Sequence, residues 1–152
     1  MKDLKNIFVE ATAKTPLVDF NFLSGDLILH GKSIMENATK FYEPLIKWIS
    51  EYVKDPKQTT NLRLNLEYFN TASSIWIAKI VKNLSKINHP EYLLLIHLYF
   101  DIEDYDDMGT EDVKDALSPV IDIISIATIS IGVKIYGIDD KGSVIKESMV
   151  LI

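Results

Sequence analysis

Hydrophobic and polar residues change their period several times along this chain, and each change predicts an element. Leu62, Leu64, Leu66 and Tyr68 alternate with Arg63, Asn65, Glu67 and Phe69, a period of two that predicts a strand with one apolar face. Upstream, Pro16–Phe22 and Leu27–His30 read as two short strands joined at the turn Ser24-Gly25-Asp26, a hairpin that ends at Gly31. Between these regions Ile34, Ala38, Phe41, Leu45, Trp48, Ile49 and Tyr52 recur at helical spacing, opposite Lys40, Glu43, Lys47 and Glu51. Ser33 and Glu36 read as a capping box for this helix, Pro44 as a bend within it and Asp55-Pro56 as its end.

A second apolar helix runs from Ile75 through Trp76, Ile80, Leu84 and Ile87, and Asn88-His89-Pro90 stops it. Tyr92–Phe100 is apolar almost throughout, as expected of a central strand covered on both faces. An acidic loop, Asp101–Asp107, follows, and then a short helix opened at Thr110 and closed by Ser118-Pro119. From Val120 onward isoleucine and valine predict one long strand and a returning strand about the turn Asp139-Asp140-Lys141-Gly142. Strands joined by helical crossovers pair in parallel with right-handed connections. The order therefore predicts one α/β domain over residues 1–152: an N-terminal hairpin, then parallel strands joined by helices, then an extra C-terminal β-hairpin over about 132–152.

Composition narrows the function. At 152 residues with 47% hydrophobic and 25% charged content the chain is long enough for one proper core. Its net charge of −6, with no clustered basic stripe, argues against a nucleic-acid partner. No cysteine is present, which rules out disulfides and thiolate metal sites and fits a reducing, cytoplasmic setting. The amino terminus lacks the apolar core of a secretory signal, and no apolar stretch approaches the roughly 20 residues of a membrane span.

Few residues invite catalysis. His30, His89 and His97 have no ligand spacing, and His97 in its apolar strand reads as a hydrogen-bonded core residue. Ser33, Ser73 and Ser74 have no evident partner base, and no phosphate-cradling glycine loop appears. Trp48 and Trp76 read as core. The acidic run misses the calcium-loop pattern, with Asp106 where glycine is needed and Asp112 where glutamate is preferred. By spacing alone, Asn70 or Thr71 in Asn70-Thr71-Ala72-Ser73-Ser74 is a helix N-cap. An exposed hydroxyl there is also a candidate phosphate acceptor, because a dianion would meet the helix's free amides.

An ordered series of segments goes further. Thr15-Pro-Leu-Val-Asp-Phe20, Gly25-Asp-Leu-Ile-Leu29, Gly31-Lys-Ser-Ile-Met-Glu-Asn37, Phe41-Tyr-Glu-Pro44, Leu66-Glu-Tyr-Phe-Asn-Thr-Ala-Ser-Ser74 and Asp104-Tyr-Asp-Asp-Met108 closely resemble the SiaC family of bacterial regulatory phosphoproteins. The likeness covers about residues 15–126. It implies a STAS-like domain, similar to the anti-sigma-factor antagonists, with Thr71 as the phosphoacceptor. It also implies three partners: a serine/threonine kinase of histidine-kinase-like ATPase type, a metal-dependent serine/threonine phosphatase and a diguanylate cyclase activated by the unphosphorylated form. That would link the switch to cyclic-di-GMP and biofilm formation, with no cofactor and no catalysis by the chain itself. Ala72 and Ile75 stand where the family usually has a serine and a lysine, and Ile34-Met35 replaces a Tyr-Pro pair.

On this reading partners touch Asn70, Ala72, Ser73, Ser74, Asp101, Glu103, Asp104, Asp106 and Asp107, at the ends of two adjacent parallel strands. Two other functions compete. One is a small metal-dependent enzyme built on the Asp101–Asp107 carboxylates. The other is a structural module, a homodimer formed through the edge strand of the tail hairpin.

Overall fold

The computed structural model describes residues 4–107 and 126–151. In chain order they form β1 (Ile7–Val9), β2 (Leu17–Asn21), β3 (Asp26–Ser33), α1 (Ala38–Tyr52), β4 (Thr59–Phe69), α2 (Thr71–Leu84), β5 (Leu93–Asp101), α3 (Ile102–Asp107), β6 (Ser130–Ile138) and β7 (Val144–Leu151). The strands make one seven-stranded sheet in sequence order. β1, β2 and β3 pair antiparallel, β3 to β6 run parallel, and β7 returns antiparallel along β6. This is the α/β arrangement that the sequence predicts, N-terminal hairpin and C-terminal hairpin included.

Alternation sets the faces. Val18 and Phe20, Leu27 and Leu29, Leu62 and Leu64, Leu94 and Ile96, and Val133 and Ile135 are buried in one core with Tyr42, Leu45, Trp48 and Ile49 of α1 and Ile80, Val81 and Leu84 of α2. Burying each such large apolar side chain contributes about 1.5–3 kcal/mol. Gly25 closes the β2–β3 hairpin with φ of 78°, its N–H donating to the Asn21 carbonyl at 3.0 Å and its carbonyl accepting from the Asn61 N–H at 2.8 Å. A Cβ there would lie 2.6 Å from the Thr59 carbonyl oxygen, so only glycine fits.

Several expectations are corrected. Ser33 does not cap α1: pairing with Phe69 keeps it in β3, and it is fully buried. The helix begins at Ala38 and Asn37 caps it, its side chain accepting the Lys40 N–H at 3.1 Å. Asp101–Asp107 is no loop, since Asp101 ends β5 and the rest forms α3. Ile102 and Tyr105, three residues apart, turn the apolar side of that helix onto Gly137 of β6. β1 was not foreseen. Pro44 lies inside α1, as expected. The helix expected over Thr110–Ser118 and the start of the strand expected from Val120 lie outside the described residues. Among the described residues no helix is long and apolar enough to cross a membrane.

Candidate functional site

β4 leaves the sheet at Phe69, and the chain turns into α2 through one residue. Asn70 is extended, with φ of −87° and ψ of 175°, and its Oδ1 accepts the Ser73 N–H at 2.9 Å. Asn70 is therefore the N-cap, and Thr71 is the first helical residue. Asn70 is fixed from the other side as well. Its backbone N–H donates to the Ser33 carbonyl at 3.0 Å, and its Nδ2 donates to the Met35 carbonyl at 3.2 Å.

Beneath the turn lies a chain of hydroxyls. Ser73 Oγ donates to the Ser33 carbonyl at 2.8 Å, and Ser33 Oγ donates to Ser73 Oγ at 2.7 Å. The single Ser33 proton is thereby committed, so Tyr42, whose Oη lies 2.5 Å from Ser33 Oγ, must be the donor of that bond. Burial pushes the Tyr42 phenol pKa up, against the opposing effect of its hydroxyl contacts, and keeps it protonated. Ser33 and Ser73 are fully buried, so this network pins the start of α2 to the end of β3 and to α1. Ser73, expected to meet a partner, instead belongs to the interior. Ser74 is half-buried, its hydroxyl turned back to the Thr71 carbonyl at 2.7 Å.

Thr71 and Ala72 are exposed. The Asn70 side chain takes the Ser73 amide and the Asn70 carbonyl takes that of Ser74, which leaves the amides of Thr71 and Ala72 at the positive end of the helix. The surroundings are apolar: Tyr68 is 63% exposed, Phe69 55%, Ile75 53% and Ile34 39%. Sequence reasoning missed this rim, placing Tyr68 on the covered face of β4. The pairing of β3 and β4 shifts between Gly31 and Lys32, whose partners are Leu66 and Tyr68, and beyond that irregularity the strand end stands clear of the core. Phe69, apolar where the alternation calls for a polar residue, was the available signal.

β4 and β5 are parallel neighbours, so Thr71 and Asp101 lie just beyond or at the same end of the sheet. Asp101, Glu103, Asp104, Asp106 and Asp107 are all exposed. Asp101 and Asp104 line a groove of about 710 Å³ across the ends of β3 to β6, with Tyr68 and Glu67 on one side and the β6–β7 turn on the other. Asp106 accepts a hydrogen bond from Lys146 Nζ of β7 at 2.8 Å. Among the described residues no three His, Asp or Glu side chains gather as a metal site.

His97 is a core residue of the other face. It is 3% exposed, with Nε2 2.8 Å from Asn61 Oδ1 and Nδ1 2.7 Å from Tyr136 Oη. Because Asn61 Oδ1 can only accept, Nε2 carries the proton and Nδ1 accepts from Tyr136. Burial, then Arg63 and Lys134, push its pKa down to about 4, so the ring is neutral at pH 7. Trp48 is buried, and Trp76 stacks on Tyr42 at 6.3 Å between ring centroids with Lys79 Nζ 4.1 Å over its ring.

The sequence model of the SiaC family of regulatory phosphoproteins matches residues 9–126. Crystalline apo-SiaC of Pseudomonas aeruginosa superposes with a TM-score of 0.62 at 22% identity, over 73% of this chain and 92% of that one. A chain in the crystal structure of the diguanylate cyclase SiaD with its activator SiaC, from the same organism, gives a TM-score of 0.65 at 18% identity, over 86% of this chain and 99% of that one. Likeness at these identities speaks for the fold. A 70-residue stretch is 27% identical to an uncharacterized protein of Pseudomonas aeruginosa strain UCBPP-PA14, covering 46% of this chain and 56% of that protein. The match thus spans little more than half the length of that relative. With the family model covering most of the chain, in the order of segments seen in the sequence, this protein belongs to the SiaC family of regulatory phosphoproteins.

Proposed function

We propose that this chain is the phosphorylation-switched component of a partner-switching pathway, with Thr71 as the phosphoacceptor. Unmodified, it docks on and activates an effector enzyme, for which a diguanylate cyclase is the model, since SiaC of Pseudomonas aeruginosa is the activator of SiaD. A kinase of histidine-kinase-like ATPase type adds the phosphate and a metal-dependent serine/threonine phosphatase removes it. The chain itself catalyses nothing. The carrying observation is one exposed hydroxyl, Thr71, at the first position of a helix whose start is locked from beneath and ringed by Tyr68, Phe69, Ile75 and Ile34.

An exposed apolar rim around a rigid turn has the character of an interaction surface. Phosphorylation places about −1.5 to −2 charges in its middle. That charge sits at the acidic end of the sheet, where each repulsion with the carboxylates of Asp101 or α3 is screened to about 1 kcal/mol or less. The larger penalty is desolvation, because a partner fitted to the apolar rim would have to bury a dianion. Phosphosite mass spectrometry of the protein from its own host, paired with effector binding by Thr71→Ala and Thr71→Glu, tests the reading. Modification at Thr71, with docking kept in Thr71→Ala and lost in Thr71→Glu, is expected. Equal docking by the two variants, or a Thr71 that stays unmodified in every growth condition, refutes it.

A further inference from the structure

We infer that the C-terminal hairpin completes the groove at the strand ends into a docking channel for a basic, arginine- or lysine-bearing segment of the partner protein, and so helps to select the partner. This rests on the reading of the chain as a protein that docks an effector. One wall of the groove, with Tyr68, Tyr99 and Asp104, comes from the segment matched by the family model. The opposite wall is the turn Ile138–Gly142, which lies beyond residue 126 where that match ends.

The chemistry of the lining points to a cation. Among the described residues, Glu67, Asp101, Asp104, Asp139 and Asp140 line the groove with one lysine, Lys141, and the Lys32 Nζ lies 5.7 Å over the Tyr68 ring at its edge, so carboxylates outnumber cations five to two. Tyr68, Tyr99 and Phe100 line the same groove, with Tyr99 stacked on Tyr136 and its hydroxyl accepting from Arg63. Carboxylates beside aromatic faces suit a guanidinium, which stacks its plane on a ring and directs paired N–H groups at an oxygen pair. A volume of about 710 Å³ accommodates a few residues of an extended segment and excludes a folded domain. The chain's net charge of −6 also favours encounter with a basic segment.

Both walls are set before a partner arrives. Asp139 Oδ1 accepts the N–H groups of Lys141 and Ser143, each at 2.9 Å, and Gly142 takes φ of 84° to close the turn. α3, which carries Asp104, is held to the hairpin by the close approach of Ile102 and Tyr105 to Gly137 and by the Lys146–Asp106 ion pair at 2.8 Å. Little ordering cost remains for binding.

Titrating the isotope-labelled full chain with a blocked hexapeptide of alternating arginine and leucine, against a glutamate counterpart, tests the channel by amide shift mapping. At about 0.15 M salt, saturable shifts focused on Tyr68, Tyr99, Asp101 and the Asp139–Gly142 turn are expected for the basic peptide, and none for the acidic one. Reversing the hairpin wall with Asp139→Lys/Asp140→Lys should weaken binding about ten-fold or more. Glu67→Lys/Asp104→Lys, which spares the turn, should do the same if the hairpin variant unfolds. Shifts scattered over the acidic surface at large, preference for the acidic peptide, or binding indifferent to charge reversal on both walls overturns the inference. The two readings fail separately: an unmodified Thr71 sinks the switch but leaves the peptide result standing, and a peptide that ignores the groove leaves the switch standing.

Discussion

Replacing Ser33 should reveal how tightly the start of α2 is bound to the core. Ser33 Oγ accepts from Tyr42 and donates to Ser73, whose own proton goes to the Ser33 carbonyl. Ser33→Ala deletes both side-chain bonds and leaves the Tyr42 O–H, in a fully buried residue, without its acceptor. A buried donor stripped of its partner costs about 1–3 kcal/mol, so about 2 kcal/mol is expected for this variant. Tyr42→Phe removes only the donor, and Ser33 keeps its bond to Ser73, so about 1 kcal/mol is expected. In the double variant the orphaned phenol no longer exists. Its cost should be about 2 kcal/mol instead of the additive 3, a coupling of about 1 kcal/mol.

Urea unfolding followed by tryptophan fluorescence measures all four proteins, with Trp76 stacked on Tyr42 as a local reporter. The urea dependence should be unchanged and only the midpoints should move. Additivity to within about 0.3–0.5 kcal/mol would show that the hydroxyls are not energetically linked and would refute the assigned direction of the bonds.

Other perturbations follow from the same geometry. His97, with a pKa of about 4 when folded and about 6.5 when unfolded, binds its proton more readily in the unfolded chain. Stability should therefore fall as pH drops from about 6.5 to 4, by no more than about 3 kcal/mol, and then level off; an imidazole NMR titration with a midpoint above 6 contradicts this. Gly25→Ala forces a side chain into φ of 78° and against the Thr59 carbonyl, and should cost at least about 2 kcal/mol in thermal or urea unfolding. Gly137→Ala drives a methyl to 2.8 Å from Ile102 Cδ1 and 2.9 Å from Tyr105 Cγ. It should cost about 1 kcal/mol and speed hydrogen exchange across α3, whereas unchanged exchange over Ile102–Asp107 would mean that the helix is not held there.

Long-period patterns made most of the fold legible. The alternation in Leu62–Phe69, the apolar run of Tyr92–Phe100 and the helical spacing from Ile34 to Tyr52 each correspond to an element, although the helix begins only at Ala38 and Tyr68 stands clear of the covered face. The errors arose where tertiary contact outweighs local preference. Ser33-Ile-Met-Glu36 has the letters of a capping box, but lateral pairing with Phe69 holds Ser33 extended and its hydroxyl serves the core. Ile102 and Tyr105 look incidental in an acidic run, and become the packing face of α3 only once β6 presents Gly137 to them. At the site, the helix start and its exposed Thr71 were readable from Asn70-Thr71. The apolar rim was not, because the shift of register that frees Tyr68 and Phe69 depends on β3 as much as on β4.

If Thr71 is the phosphoacceptor, as proposed above, its placement relative to the hydroxyl chain determines what kind of switch its modification would make. Ser73 and Ser33 are enclosed, while Thr71, two residues before Ser73, is exposed and belongs to none of the bonds that pin the turn through its side chain. Negative charge at the first helical position is favoured by the helix dipole, by about 0.3–1 kcal/mol, and the amides of Thr71 and Ala72 remain to receive it. Thr71→Glu should therefore leave unfolding free energy within about 0.5 kcal/mol of the parent, or slightly raise it, with amide shifts confined to the start of α2. A switch by refolding demands the opposite: loss of more than about 1 kcal/mol, with shifts carried through Ser73 and Ser33 into α1. If calorimetry and shift mapping give that second pattern, the charge acts on the interior, and the view that it alters only the displayed surface is wrong.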